Sequence, residues 1–134
     1  MKFDEDYFVY KEGKQRGILV ENKERGVYHG KCWPSVSSWI DYMNPDSKDL
    51  LKLLYTNPDG LIPYQYDKKD YIWDDKNVGI WIDMNEPACF EKTDKTFPKA
   101  NMHKIRVWDD ADNSEHTIVV EHRDVHCLYG YFSS

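Results

Sequence analysis

One stretch stands out in the pattern of apolar and polar positions. Val78-Gly79-Ile80-Trp81-Ile82 is a short apolar run, followed at once by Asp83, Glu86 and Pro87. Its β-branched and aromatic residues predict a strand over 78–84, buried on both faces. Pro87 cannot continue a ladder and pushes Glu86 away from helix, so the strand ends beside two carboxylates. In a barrel of parallel strands, that end carries the catalytic residues.

The rest of the chain is less regular. Residues 1–16 pass through Tyr7-Phe8-Val9-Tyr10 and fit either a short strand or a helix, with a turn at Gly13. Gly17-Ile18-Leu19-Val20 predicts a weak strand and 21–26 a polar turn. Val27 to Trp33 predicts a second short strand stopping at Pro34, the pair making a hairpin or an ordered loop. Residues 35–44 are ambiguous. Asn44-Pro45-Asp46-Ser47 is a helix start, with Asn44 or Asp46 as cap and an apolar side running to Tyr55. Asn57-Pro58-Asp59-Gly60 ends it, and 61–77 reads as loop. The polar segment from Pro87 to about Glu115 has no apolar period and predicts a long loop or lid. Thr117-Ile118-Val119-Val120 fits a strand or part of that loop. Residues 121–132 predict a helix with Val125, Leu128 and Tyr129 on one side.

The pattern does not close into a domain. A few elements joined by long loops in 134 residues suggest a slice of a larger α/β domain.

Composition narrows the function classes. Apolar residues make up 40% and aromatic residues 15%, the latter mostly ten Tyr and five Trp. Such side chains suit sugar-binding platforms and half-buried strands alike. The net charge of −6 and the lack of a basic stripe argue against nucleic acid and anionic membrane as partners. No apolar run approaches the roughly 18 residues of a membrane span, and no signal-peptide core follows Met1. In a whole protein that would suggest the cytosol; in a segment it suggests nothing. Cys32, Cys89 and Cys127 are widely spaced and form no CxxC, so they predict neither a zinc site nor a disulfide framework. No metal or cofactor is expected.

Asp83 and Glu86 lie three apart at the end of the predicted strand. A retaining glycosidase uses two carboxyl groups about 5–5.5 Å apart across the scissile bond, one as nucleophile and one as acid/base. Trp81 and Met84 would give such a site a partly apolar wall. Acids near strand ends are common, however, and capping of the next helix or pairing with a lysine fits the spacing as well.

The wording of the stretch is more specific than its spacing. Trp81-Ile82-Asp83-Met84-Asn85-Glu86-Pro87 resembles the nucleophile signature of glycoside hydrolase family 31, the α-glucosidase family, written Trp-x-Asp-Met-Asn-Glu. Gly30-Lys31-Cys32-Trp33-Pro34 with Asp41-Tyr42-Met43-Asn44-Pro45 resembles the family's Trp-Pro-Gly…Asp-Phe-x-Asn-Pro segment. His122-Arg123-Asp124-Val125-His126-Cys127-Leu128-Tyr129-Gly130 resembles its His-Arg-x-x-His-Asn-x-Tyr-Gly segment. The three motifs stand in the family's order over residues 30–130. The Glu-His-Arg-Asp-Val-His wording is most like the catalytic α subunits of endoplasmic-reticulum glucosidases.

The resemblance implies an α/β fold: a partial (β/α)8 TIM barrel, roughly its third and fourth βα units with long loops, residues 1–134 being a fragment of the catalytic barrel. It implies a retaining hydrolysis of terminal α-linked glucose from oligosaccharides or N-glycans. Asp83 matches the nucleophile and Glu86 the motif's second acid. Trp33, Trp81 and Met84 match residues lining the glucose pocket. A regulatory β subunit and the endoplasmic-reticulum lumen follow for that branch, a lysosomal or secreted location for others. His122 and His126 are expected to pack or to hydrogen-bond at a helix end. The acid/base Asp is expected on a later strand beyond Ser134, which leaves the isolated fragment inactive. Two positions depart from the family pattern, Ser35 standing in place of Gly and Cys127 in place of Asn, and Ile82 stands where the endoplasmic-reticulum branch commonly carries Asn.

Overall fold

The computed structural model describes residues 1–56, 88–90 and 96–133. The predicted strand 78–84 and the loop 61–77 lie outside the described residues, and so do Trp81, Asp83, Met84 and Glu86.

The first element is a helix, α1 (Phe8–Gln15). It buries Val9, Tyr10 and Gly13 on one side, the i, i+1, i+4 spacing of an amphipathic helix. Residues 17–20 form no ladder. They make single antiparallel contacts instead, Leu19 with Ile40, flanked by the amide of Asp41 on the carbonyl of Ile18 at 2.8 Å and that of Val20 on the carbonyl of Trp39 at 3.0 Å. A short hairpin follows, β1 (Gly30–Cys32) and β2 (Ser35–Ser37), paired Gly30 to Ser37 and Cys32 to Ser35. Helix α2 (Ser47–Thr56) starts where Asn44-Pro45-Asp46 predicts. The Asn44 carboxamide oxygen accepts from the amide of Asp46 at 3.0 Å, and its nitrogen donates to the carbonyl of Gly17 at 3.1 Å. Asn44 thus ties the helix entry to the end of α1.

Much of the segment expected to be a long loop or lid forms strands instead. Strands β3 (Met102–Asp109) and β4 (Ser114–Glu121) form a long antiparallel hairpin in register from Met102–Glu121 to Asp109–Ser114. His103, Ile105 and Val107 alternate with Lys104 and Arg106, a two-residue period that is legible only if the buried His103 counts as an inward position. Its turn is built by carboxylates. Asp109 accepts from the amide of Ala111 at 2.9 Å, Asp112 accepts from that of Ser114 at 3.1 Å, and Asn113 takes φ 55°, a region that Asn tolerates. Helix α3 (His122–Ser133) follows directly.

Two apolar clusters hold these parts. Val9, Tyr10, Ile18, Leu19, Ile40, Leu50 and Leu54 join α1 to α2. Val20, Tyr28, Met43, Cys89, Phe97 and Val125 join the first half of the chain to α3. Among the described residues both sheets are two-stranded and antiparallel, and no closed barrel forms.

Candidate active site

Of the predicted site residues, only Trp33 is described. It sits in the tight turn between β1 and β2, 74% exposed, rather than in the core. Its ring meets that of Phe90 edge-on at 4.9 Å, a favoured aromatic geometry. Phe90 is also exposed, and its amide donates to the carbonyl of Lys31 at 2.8 Å. This bond sets the segment just after Glu86-Pro87 beside the hairpin that carries Trp33. Phe90 is a site candidate that the sequence does not announce; a lone Phe in a polar run gives no signal.

The turn explains one departure from the family pattern. Ser35 adopts φ 81°, a left-handed conformation that glycine takes freely and other residues take at a cost of roughly 1–2 kcal/mol. Ser35→Gly is therefore expected to stabilise the protein by about 0.5–1 kcal/mol after the extra flexibility of glycine is deducted. A midpoint of urea unfolding that does not rise would show that the turn is not strained.

The segment after the predicted strand is pinned inward by sulfur and ring contacts. The Cys89 thiol, 1% exposed, lies 3.1 Å from the Tyr28 hydroxyl. A Cβ at Gly30 would come within 2.6 Å of that hydroxyl and 2.9 Å of the sulfur, so the first residue of the Gly30-Lys31-Cys32-Trp33-Pro34 motif has to be glycine for this contact to form. Phe97 stacks edge-on against Trp39 at 5.2 Å and against His122 at 5.2 Å.

The most constrained polar feature is a chain of four side chains running from the core to the surface. Asp41 is 2% exposed. Its carboxylate accepts from His103 Nδ1 at 2.9 Å, from the amide of Lys104 at 2.8 Å and from that of Met43 at 3.3 Å. His103 Nε2 lies 2.9 Å from His122 Nδ1, and His122 Nε2 lies 2.9 Å from His126 Nδ1. His103 and His122 are each 1% exposed, whereas His126 is on the surface. With all three rings neutral, the ionised Asp41 fixes every tautomer. His103 donates from Nδ1 and accepts at Nε2, His122 does the same, and His126 donates from Nδ1. The chain ties the turn before α2, strand β3 and helix α3 together. His122 thus packs and bonds as the sequence suggested, while its partner His103 and the Asp41 that holds His103 were not foreseen.

Burial, followed by the neighbouring rings of His103 and His126, pushes the pKa of His122 down to about 4. An unfolded histidine titrates near 6.5. Between those values the unfolded chain binds the extra proton and the folded one does not. This contribution to stability is therefore complete above about pH 6.5 and is lost as the pH falls towards 4. We expect the loss to be about 2 kcal/mol. Urea unfolding at pH 7.5 and 4.5 measures it, and replacing His122 with Phe should remove that part of the pH dependence.

Comparison with known proteins places this geometry. Residues 1–134 match the glycosyl hydrolases family 31 TIM-barrel domain. Neutral alpha-glucosidase AB of Dictyostelium discoideum is 36% identical over 132 residues, which cover 98% of this chain and 12% of that protein. Glucosidase 2 subunit alpha of Schizosaccharomyces pombe is 34% identical over 133 residues, with the same shares. Among solved structures, the glucosidase II alpha subunit in its DNJ-bound form superposes with a TM-score of 0.68 at 32% identity, covering 98% of this chain and 12% of that one. A heterodimeric ER glucosidase II complex of the catalytic subunit with the binding domain of the regulatory subunit gives 0.67 at 33%, again with 98% and 12% covered. The chain thus spans 12% of the length of these relatives. With the whole of its length matched to that domain, the chain belongs to glycoside hydrolase family 31.

Proposed function

We propose that these residues form the nucleophile-bearing part of a retaining α-glucosidase that removes terminal α-linked glucose from oligosaccharides or N-glycans. The observation that carries this reading is the match of nearly the whole chain to the glucosidase II alpha subunit, at 32% identity and a TM-score of 0.68. On this reading residues 1–134 are a fragment of the catalytic barrel, about its third and fourth βα units. By analogy with the heterodimeric ER glucosidase II complex, the protein works in the endoplasmic-reticulum lumen with a regulatory β subunit. No cofactor takes part.

The chemistry follows from two carboxyl groups. The Asp83 carboxylate attacks the anomeric carbon. The glycosidic carbon–oxygen bond breaks, and the leaving oxygen takes a proton from an acid supplied by another part of the barrel. Water, deprotonated by the same residue, then releases glucose from Asp83 with its configuration retained. Glu86 orients the nucleophile. Trp81 and Met84 line the glucose pocket, and Trp33, with Phe90 edge-on to it, forms an exposed aromatic wall on which a sugar ring can lie.

The test is the configuration of the first product. Proton NMR of an α-glucoside digest by the full-length protein should show α-glucose before mutarotation. Initial release of β-glucose would exclude an aspartyl intermediate. A second reading concerns the polypeptide rather than the family. The chain spans only 12% of its relatives, and by itself it is expected to be inert towards an aryl α-glucoside. Turnover by the isolated 134 residues that Asp83→Asn abolishes would refute that.

A further inference from the structure

We propose that His122 and His126 form a binding site for a divalent transition-metal ion of the zinc type. The two residues are four apart on α3 and therefore share one face of the helix. Their facing nitrogens, His122 Nε2 and His126 Nδ1, are 2.9 Å apart. Two imidazoles ligating one ion at about 2.1 Å set their nitrogens roughly 3.0–3.4 Å apart. A small rotation of the exposed His126 is enough to aim both at one point. The metal then takes the place of the shared proton.

The inner ligand is already prepared. His122 Nδ1 is bonded to His103, and His103 Nδ1 to Asp41. In the neutral chain this leaves the lone pair of His122 on Nε2, directed towards His126. A carboxylate that fixes the tautomer and orientation of a ligand through a hydrogen bond is the usual outer shell of a histidine metal site. Here the carboxylate acts through one extra imidazole. His122 is 1% exposed, so its ring has little freedom to lose on binding.

The outer side is open. His122 and His126 line a groove of about 1050 Å³ together with Phe97, Lys99, Arg123 and Asp124. Water can fill the remaining coordination positions there. Lys99 opposes a cation, Asp124 offsets it, and Arg123 is held by Glu121. Imidazole donors favour zinc, nickel and copper over magnesium and calcium.

A second place competes for the same ions. Asp109, Asp112 and His116 bring ligand atoms within 4.8 Å of one another at the tip of the hairpin, all exposed. His116 is already bonded to Asp112 at 2.6 Å, and no buried partner orients it. The experiment separates the two. Calorimetric titration of the protein with Zn²⁺ at pH 7.5 is compared with that of its His126→Gln and His116→Gln variants. Both positions are on the surface, so both variants should fold. The expected result is Zn²⁺ uptake that His126→Gln weakens at least tenfold and His116→Gln leaves unchanged. Uptake that survives His126→Gln, uptake that His116→Gln removes, or no uptake by the parent protein would overturn the proposal.

Discussion

Asp83→Asn in the full-length protein is expected to lower turnover of an aryl α-glucoside by a factor on the order of 10⁴ or more, with little change in folding. The size follows from the role. A covalent nucleophile divides one difficult displacement into two easier ones, and removing such a group commonly costs this much because its partners act with it as a unit. An amide of the same shape cannot bond to the anomeric carbon with useful strength. Glu86→Gln serves as the control. A residue that orients the nucleophile and supplies field should cost less, about 10²–10³. The two roles separate further on addition of azide. Azide can attack the anomeric carbon only from a face that a smaller residue clears, so Asp83→Gly should regain turnover with azide and yield β-glucosyl azide, the product of a single inversion. A Glu86 variant rescued in the same way, or an Asp83→Asn protein retaining a tenth of its activity, would require the two roles to be exchanged or abandoned.

How far the sequence led depended on whether each signal was local. The start of α2 was legible because Asn44-Pro45-Asp46 has a fixed backbone preference and Leu50 and Leu54 follow at helical spacing; both are buried. Helix α3 was legible within a residue or two, but its inward side was only half right. Val125 is buried and Leu128 is 45% exposed, while His122 fills an inner position on the helix. A histidine can do so only because two other rings satisfy its nitrogens, and nothing within reach of periodicity reports that. The same blindness hid β3. With His103 counted as polar, the alternation over 102–108 dissolves and the segment resembles loop.

The candidate site rests on wording rather than on geometry, since its two acids lie outside the described residues. Trp-x-Asp-Met-Asn-Glu named a nucleophile where spacing alone left capping and ion pairing open. Trp33 shows the complementary case. The motif assigned it to a pocket wall, and the structure leaves the ring exposed against Phe90. What no motif conveyed is how this wall is held. Gly30 leaves room for the Tyr28–Cys89 contact, and Phe90 hangs from the carbonyl of Lys31. These links join residues about sixty positions apart.

Asp41→Ala is expected to destabilise the protein by about 4 kcal/mol, the largest effect on stability of any single polar residue among those described. Three donors converge on this carboxylate: His103 Nδ1, the amide of Lys104 and the amide of Met43. All are lost together, and a buried donor left without a partner costs about 1–3 kcal/mol. The three losses share one site and do not simply add. Asp41→Asn tests the cause more sharply. The amide keeps an oxygen for the amide of Lys104 and turns an N–H towards His103. His103 then accepts at Nδ1 and donates from Nε2, His122 follows, and the polarity of the whole chain reverses out to His126. Because every ring keeps two partners, the cost should be only about 1–2 kcal/mol. Nitrogen-15 shifts of the imidazoles report the reversal directly, with His103 protonated at Nδ1 in the parent and at Nε2 in Asp41→Asn. If Asn costs as much as Ala, the negative charge of Asp41 rather than the count of hydrogen bonds holds the chain in place.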